Sequence, residues 1–241
     1  MDMQGALCFF LAALILGPGC AVAGDLVFKT GPKQVHLLEL FTSEGCGSCP
    51  PAEERLSTLK GNAGLWKDVI PVCFHVDYWD YLGWPDRFAS PAYTVRQQNY
   101  AREWGGDSVY TPEFVLDGRE FRTGEIPAAS GSGGNLTVEL NSAREMTIRY
   151  ESATPDPKAA WEAHIAPLGL GLETEVRGGE NGGRRLRHDF VAFSLVSLPL
   201  HAGTNSATVT LAAPKEGEKA IAVWITHAGQ SSPVQAAGAW E

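Results

Sequence analysis

The sequence has few cysteines, few basic side chains and only a short apolar run at its N-terminus. Five cysteines occur in 241 residues, and two of them, Cys8 and Cys20, lie in a segment that we expect to be removed. The remaining three are too few for a disulfide scaffold in a chain of this size. Acidic side chains outnumber basic ones, 28 to 19, which argues against nucleic acid or an anionic membrane as a partner.

The first residues have the pattern of an export signal. Residues 7–17, LCFFLAALILG, are apolar but too short to span a bilayer comfortably, and Ala21–Ala23 supply the small residues that a signal peptidase needs. We therefore predict a signal peptide over residues 1–23, cleavage near Gly24, a secreted or periplasmic location and no membrane span afterwards. A lipoprotein anchor at Cys20 is the poorer alternative.

Residues 24–125 alternate between strand patterns and helix patterns. Apolar runs bounded by turn residues are typical of buried strands, and proline or acidic residues in a first turn favour a helix. The predicted elements are a strand at 34–41, a helix at 50–59, a strand at 68–79, a helix after the N-cap Ser90, and a hairpin with Asp117-Gly118 at its turn. This order predicts an α/β domain with a mixed sheet.

The composition changes after this domain. Residues 126–134 are mostly small, which is typical of a linker. From 135 to 241, β-like segments are separated by clusters of Gly, Pro and Asn, and they predict an all-β, sandwich-like domain. One of these clusters, GGENGGRR at 178–185, predicts a hairpin tip on the surface.

Cys46 and Cys49 lie between the end of the first predicted strand and the start of the first predicted helix. The positive end of a helix dipole and free backbone N–H groups favour a thiolate at Cys46. A thiolate attacks a disulfide sulfur, and a thiol three residues further on resolves the mixed disulfide. Cys46 is therefore the predicted nucleophile and Cys49 the resolving thiol, provided that solvent and a second molecule reach Cys46.

Other interpretations of the cysteine pair stay open. The acidic side chains of Glu44, Glu53 and Glu54 disfavour another anion nearby. Cys73 and His75 are two apart in a strand pattern, so they share a face and could approach the pair to form a soft site for Cu(I). The pair could also be a structural disulfide in an interaction protein.

The arrangement of these elements resembles the thioredoxin fold. More narrowly, ELFTSEGCGSCPPAE (39–53), HVDYWD (75–80), YTPEFVLDG (110–118) and VRGGENGGRRLRHDFV (176–191) resemble a secreted, thioredoxin-like bacterial family, domain of unknown function 1223 (DUF1223). The resemblance implies a thioredoxin-like fold for residues 24–125.

The same resemblance implies roles for two further residues. In thioredoxin-like proteins the proline before the third core strand is cis and lies against the cysteine pair, which places Thr111 and Pro112 at the substrate groove. The acid that thioredoxins commonly bury before the motif falls at Leu40 here. Glu39, one residue earlier, is expected on the opposite face of the strand.

The HVDYWD segment follows the second strand at the carboxyl edge of the sheet, where open α/β sheets bind ligands. His75 and Asp77 could tune Cys46 or relay a proton, and Tyr78 and Trp79 could contact a partner. Core packing is the competing interpretation for the aromatic side chains, as is a hydrogen-bonded buried imidazole for His75. In the second helix, we expect Arg96 and Gln97 to be solvated.

The favoured function is therefore thiol–disulfide exchange in an exported oxidoreductase. Its expected partners are protein thiols or small disulfides outside the cytoplasm, without nucleic acid and without a resident cofactor. Cu(I) binding and delivery is the alternative from another functional class.

Overall fold

The structure, a computed structural model, describes residues 25–122, 124–156, 158–201, 204–211 and 216–241. The predicted signal peptide and its cleavage site lie outside these residues. Within the described ranges, no helix is both long enough and apolar enough to cross a membrane.

The described residues form fifteen strands, two α-helices and two short 3-10 helices. The strands and α-helices, in chain order, are β1 (Leu26–Lys29), β2 (His36–Thr42), α1 (Pro50–Ser57), β3 (Val69–His75), α2 (Pro91–Glu103), β4 (Glu113–Leu116), β5 (Arg119–Glu120), β6 (Asn135–Leu140), β7 (Glu145–Glu151), β8 (Trp161–Leu170), β9 (Leu172–Glu175), β10 (Arg185–His188), β11 (Val191–Ala192), β12 (Val196–Pro199), β13 (Ser206–Thr210), β14 (Glu218–His227) and β15 (Pro233–Trp240). The 3-10 helices are Thr58–Gly61 and Asp80–Leu82.

The local elements predicted before residue 125 are confirmed. Every residue of β2 and of β3 is buried, as their continuous apolar runs indicate. Ser90 caps α2 by accepting a hydrogen bond from the Ala92 N–H at 3.3 Å. Asp117 and Gly118 both have positive φ, which the tight turn between β4 and β5 requires.

The predicted fold class, an α/β thioredoxin-like domain followed by a separate sandwich, is wrong. The described chain is mostly β, and one nine-stranded sheet joins both halves in the order β15-β14-β8-β11-β3-β2-β4-β5, with β12 paired to β8. The junction is β11, because Val191 pairs in parallel with Cys73 of β3 and antiparallel with Gly169 of β8. The C-terminal strands thus extend the sheet of the N-terminal half instead of closing a sheet of their own.

A second sheet supplies the sandwich-like part of the molecule. Its order is β1-β6-β7-β13, so it also takes a strand from the N-terminal half. Apolar side chains of this sheet pack against β8, β14 and β15 in one core cluster. A further large cluster lies around β2 and β3, under α2 and against β14. The boundaries of the linker and of the two domains remain predictions.

The second helix is buried where we expected a solvated surface. Arg96 is 6% exposed and Gln97 is fully buried. Arg96 Nε donates to Glu39 Oε1 of β2 at 2.5 Å, and Tyr100 donates its hydroxyl to the other oxygen of Glu39. The buried carboxylate of Glu39 therefore draws Arg96 into the core, since an unpaired charge there is costly. Glu39 itself is buried on the opposite face from Leu40, as the strand alternation predicts.

Candidate functional site

Cys46 and Cys49 form a disulfide at the start of α1. Their Cα atoms are 5.4 Å apart, and Cys49 is the N-cap residue of the helix, which begins with two prolines at its first positions. Ser48, between the cysteines, is exposed, and its Oγ lies 3.4 Å from Cys46 Sγ. The sequence thus places the pair correctly at the junction of strand and helix.

Cys46 does not lie open to solvent, so the expected accessibility of its sulfur is wrong for this conformation. The side chains of both cysteines have no exposed surface. The physical reason is a loop between β9 and β10, residues 178–183, which lies on the cysteine loop; we call it the cover loop. The predicted hairpin tip on the surface is confirmed, since Glu180, Gly182 and Gly183 are exposed, and the tip also packs on the cysteine motif.

Polar contacts hold the cover loop in place. Glu180 accepts a hydrogen bond from the Gly47 N–H at 2.7 Å, and its own N–H donates to the Gly45 carbonyl at 3.1 Å. The buried amide of Asn181 donates to the carbonyl oxygens of Glu44 at 3.0 Å and Cys46 at 2.8 Å. The two backbones approach so closely that a Cβ on residue 179 would stand 3.0 Å from the Cα of Gly45.

The Thr111–Pro112 peptide bond is cis, as the resemblance implies. Pro112 and Ser48 line one groove of about 600 Å³ beside α1. Aromatic and basic side chains form the rest of its wall, among them Phe114, Phe121 and Arg122. The groove thus runs from the exposed residue of the cysteine motif to the residue before β4.

Two aromatic residues of the HVDYWD segment support this groove from behind. Trp79 Nε1 donates to Thr111 Oγ1 at 2.8 Å. Trp79 also packs closely on Gly45, because a Cβ added to Gly45 would lie 3.1 Å from the Cβ of Trp79. The Tyr78 hydroxyl donates to Gln97, which donates to the Tyr110 carbonyl at 2.7 Å. Burial raises the pKa of Tyr78 to about 12, so its hydroxyl stays a donor at neutral pH.

Asp77 and His75 have other partners. Asp77 accepts a hydrogen bond from Thr94 of α2 at 2.6 Å, so the structure places it at that helix. His75 has no exposed surface, and its Nδ1 lies 2.7 Å from Asp86 Oδ2. The role of either residue toward Cys46 stays a prediction.

His75 belongs to a buried cluster that the sequence did not reveal. His188 Nδ1 lies 2.5 Å from Glu53 Oε2, and its Nε2 lies 3.3 Å from Glu44 Oε1. The rings of His75 and His188 are 5.2 Å apart. Together with Asp86, these side chains form a buried group of three carboxyl groups and two imidazoles, which we call the acid–histidine cluster.

Electrostatics within the cluster favour charged imidazoles. Burial lowers the pKa of His188, but the carboxylates of Glu44 and Glu53 beside the ring, of which Glu53 accepts its hydrogen bond, outweigh burial and raise that pKa to about 10. Burial likewise lowers the pKa of His75, and the charge of Asp86 more than offsets it, so the pKa is raised. The leftover thiol, Cys73, is buried, and burial raises its pKa well above the ordinary range. Cys73 is therefore a buried thiol for which the protonated form is favoured.

Comparison with known proteins points to one family. The family model described as "Protein of unknown function (DUF1223)" matches residues 37–226. None of the curated proteins matches the chain.

Two solved structures have a similar fold. One is the crystal structure of a protein from Agrobacterium tumefaciens, with a TM-score of 0.60 and 23% identity, covering 86% of this chain and 95% of that one. The other is HBP35 of Porphyromonas gingivalis, with a TM-score of 0.55 and 13% identity, covering 87% of this chain and 76% of that one. At these identities the likeness concerns the fold alone.

Proposed function

Since the chain belongs to the DUF1223 family, whose description assigns no function, we propose an activity from its own side chains: thiol–disulfide exchange by Cys46 and Cys49. The protein acts in this proposal as an exported oxidoreductase on protein thiols or small disulfides. We relate it to thioredoxin-like proteins through this motif, not through its overall fold.

The observation that carries the proposal is the position of the disulfide. It stands at the start of α1, and Ser48, a residue between the two cysteines, lines a groove together with Pro112. A peptide in this groove would lie beside the turn that carries the two cysteines and along Pro112. The aromatic and basic wall suits an extended segment with apolar or acidic side chains.

The two cysteines alone supply the electrons and the sulfur atoms that the exchange reaction needs. In the reduced protein, the Cys46 thiolate attacks a substrate disulfide, forms a mixed disulfide and releases one substrate thiolate. Cys49 then attacks Cys46 Sγ, which releases the second substrate thiolate and forms the disulfide seen in the structure. Two electrons pass from the protein dithiol to the substrate, and the reverse sequence oxidises a substrate dithiol.

Exchange requires the cover loop to open. The loop covers Cys46 and is held by hydrogen bonds of Glu180 with Gly47 and of Asn181 with the Cys46 carbonyl. Each such hydrogen bond stabilises the closed form by about 0.5–1.5 kcal/mol. The proposal therefore requires the loop to open as an enzyme lid does. The structure is then the closed, oxidised form.

Trapping of the mixed disulfide tests the proposal. Reduced Cys49→Ser protein, mixed with a disulfide-bonded peptide, should accumulate a covalent adduct through Cys46, because no resolving thiol remains. The matched control, Cys46→Ser, should accumulate much less, because in this proposal Cys46 is the attacking thiol and Cys49 only resolves the mixed disulfide. Equal adduct in both variants, or none in either, would count against the proposal.

The complete burial of Cys46 favours a second candidate. In it, the disulfide is structural and braces the loop of an interaction protein. This candidate predicts that the folded protein resists reduction as long as it stays folded, and that both serine variants lose stability without gaining any adduct.

A further inference from the structure

We propose that the acid–histidine cluster is a binding site for one divalent transition-metal ion of the Zn²⁺ class, held by Glu53, His75 and His188. The inference is independent of thiol–disulfide exchange, because neither sulfur of the Cys46–Cys49 pair takes part in it. Three elements supply the ligands: α1, β3 and β10.

Unpartnered atoms inside the cluster point to a missing ligand. Among the residues that the structure describes, Glu44 Oε1, His75 Nε2 and His188 Nε2 are buried without a hydrogen-bond partner. Glu44 Oε1 and His188 Nε2 form an ion pair with each other at 3.3 Å, so of these three atoms His75 Nε2 is the one without any polar partner. Buried polar atoms of this kind are rare in native proteins and call for an explanation such as an ion.

The orientation of His75 fits metal ligation. Its Nδ1 is occupied by Asp86 Oδ2 at 2.7 Å, which leaves Nε2 free to face the cluster. Metal-bound histidines commonly place their second nitrogen against a carboxylate in this way, which fixes the ring and raises its basicity. Asp86 is itself fixed by the N–H groups of Glu44 at 2.8 Å and Phe88 at 2.9 Å.

The distances require a small adjustment. One ligand atom from each of the three residues lies within 4.8 Å of the others. An ion with bonds of about 2.0–2.2 Å holds neighbouring ligand atoms roughly 3.3 Å apart. The contact of 2.5 Å between His188 Nδ1 and Glu53 Oε2 would therefore widen while His75 moves closer.

Charge and ligand type select the ion. Two imidazole nitrogens and one carboxylate oxygen are the donor set that suits Zn²⁺ and its neighbours, whereas Cu(I) prefers sulfur. Glu44 and Asp86 add two further buried carboxyl groups around the three ligands. A divalent cation would displace the protons that the two imidazoles hold in the metal-free cluster, and it would compensate the buried carboxyl groups in their place.

The test measures Zn²⁺ bound to the purified protein after chelator treatment and refolding with the ion, since the ligands are buried. We expect one Zn²⁺ per chain after gel filtration. His75→Gln and His188→Gln should not retain it, and Asp86→Asn should bind about 10–100-fold more weakly. His164→Gln is the matched control, because His164 is another buried imidazole, bound to Ser197 and Thr226; it should bind as the wild type does.

X-ray absorption of the Zn²⁺-loaded wild type keeps the proposal testable if the variants do not fold. The spectrum should show nitrogen and oxygen neighbours at about 2.0–2.1 Å and none at about 2.3 Å, where thiolate sulfur would lie. Absence of stoichiometric Zn²⁺, sulfur among its neighbours, or undiminished binding by both histidine variants would overturn the proposal.

Discussion

Glu180 accepts a hydrogen bond from the backbone N–H of Gly47 at 2.7 Å, although the two residues are 133 positions apart. The contact joins the cover loop to the turn between the two cysteines. An exposed side chain in the C-terminal half thus contributes to the burial of a sulfur atom in the N-terminal half.

Removal of this contact should speed reduction of the disulfide. In Glu180→Ala, the closed form loses a hydrogen bond worth about 1 kcal/mol, so the open fraction and the rate of reduction by dithiothreitol should rise about 5-fold. The rate is measured by thiol labelling at fixed pH. Glu175→Ala is the control, because Glu175 is an exposed acid at the end of β9 on the same hairpin, and its rate should match the wild type. An unchanged rate in Glu180→Ala would show that the cover loop does not limit access.

The buried pair of Arg96 and Glu39 should be costly to break and less costly to replace. Arg96→Met leaves the carboxylate of Glu39 buried and unpaired, which should lower the free energy of unfolding by about 3–5 kcal/mol. The double variant Glu39→Gln with Arg96→Met should recover part of this loss, because no charge then remains. Urea denaturation measures both effects.

An exposed ion pair provides the control for that series. Arg149 and Glu139 lie on the four-stranded sheet with their charged atoms 3.0 Å apart and about half of each side chain exposed. Arg149→Met should change the free energy of unfolding by no more than about 1 kcal/mol. Similar losses for the buried and the exposed pair would contradict the account of Arg96.

His164 should make the protein less stable in acid. Burial lowers the pKa of His164 to about 3, and the nearby charge of Arg96 adds to the effect. Between that value and about 6.5, the unfolded chain binds a proton that the folded chain excludes, so stability falls as pH falls, by up to about 1.4 kcal/mol per pH unit.

The variant His164→Gln isolates this contribution, because an amide can both donate to and accept from Ser197 and Thr226. Its free energy of unfolding, compared with the wild type from pH 7 to pH 4, should fall less steeply. Parallel curves would mean that His164 titrates normally in the folded protein.

The sequence predicted local structure well because its signals there are local. Prolines and acids mark the start of α1, Ser90 caps α2, and Asp117-Gly118 fits a turn with positive φ. The overall fold was not predictable in the same way. The two-residue strand β11 joins the halves of the large sheet, and a segment of that length has no periodicity to detect.

The site was predicted only where its parts are adjacent in sequence. The cysteine pair and Thr111–Pro112 could be identified from their motifs, but the cover loop and His188 come from a distant hairpin. His188 looks like any polar residue in RRLRHDF, since its burial depends on the pairing of β9 and β10. Glu53 is an acid in the first turn of α1, and its contact with His188 has no signal in the local sequence.

The most direct test of the redox proposal is the reduction potential of the Cys46–Cys49 disulfide, measured by equilibrating the folded protein with dithiothreitol and glutathione buffers. A pair that exchanges electrons with exported thiols should have a potential above about −300 mV. A potential below about −300 mV, with the fold intact throughout, would identify a structural disulfide and contradict thiol–disulfide exchange as the function.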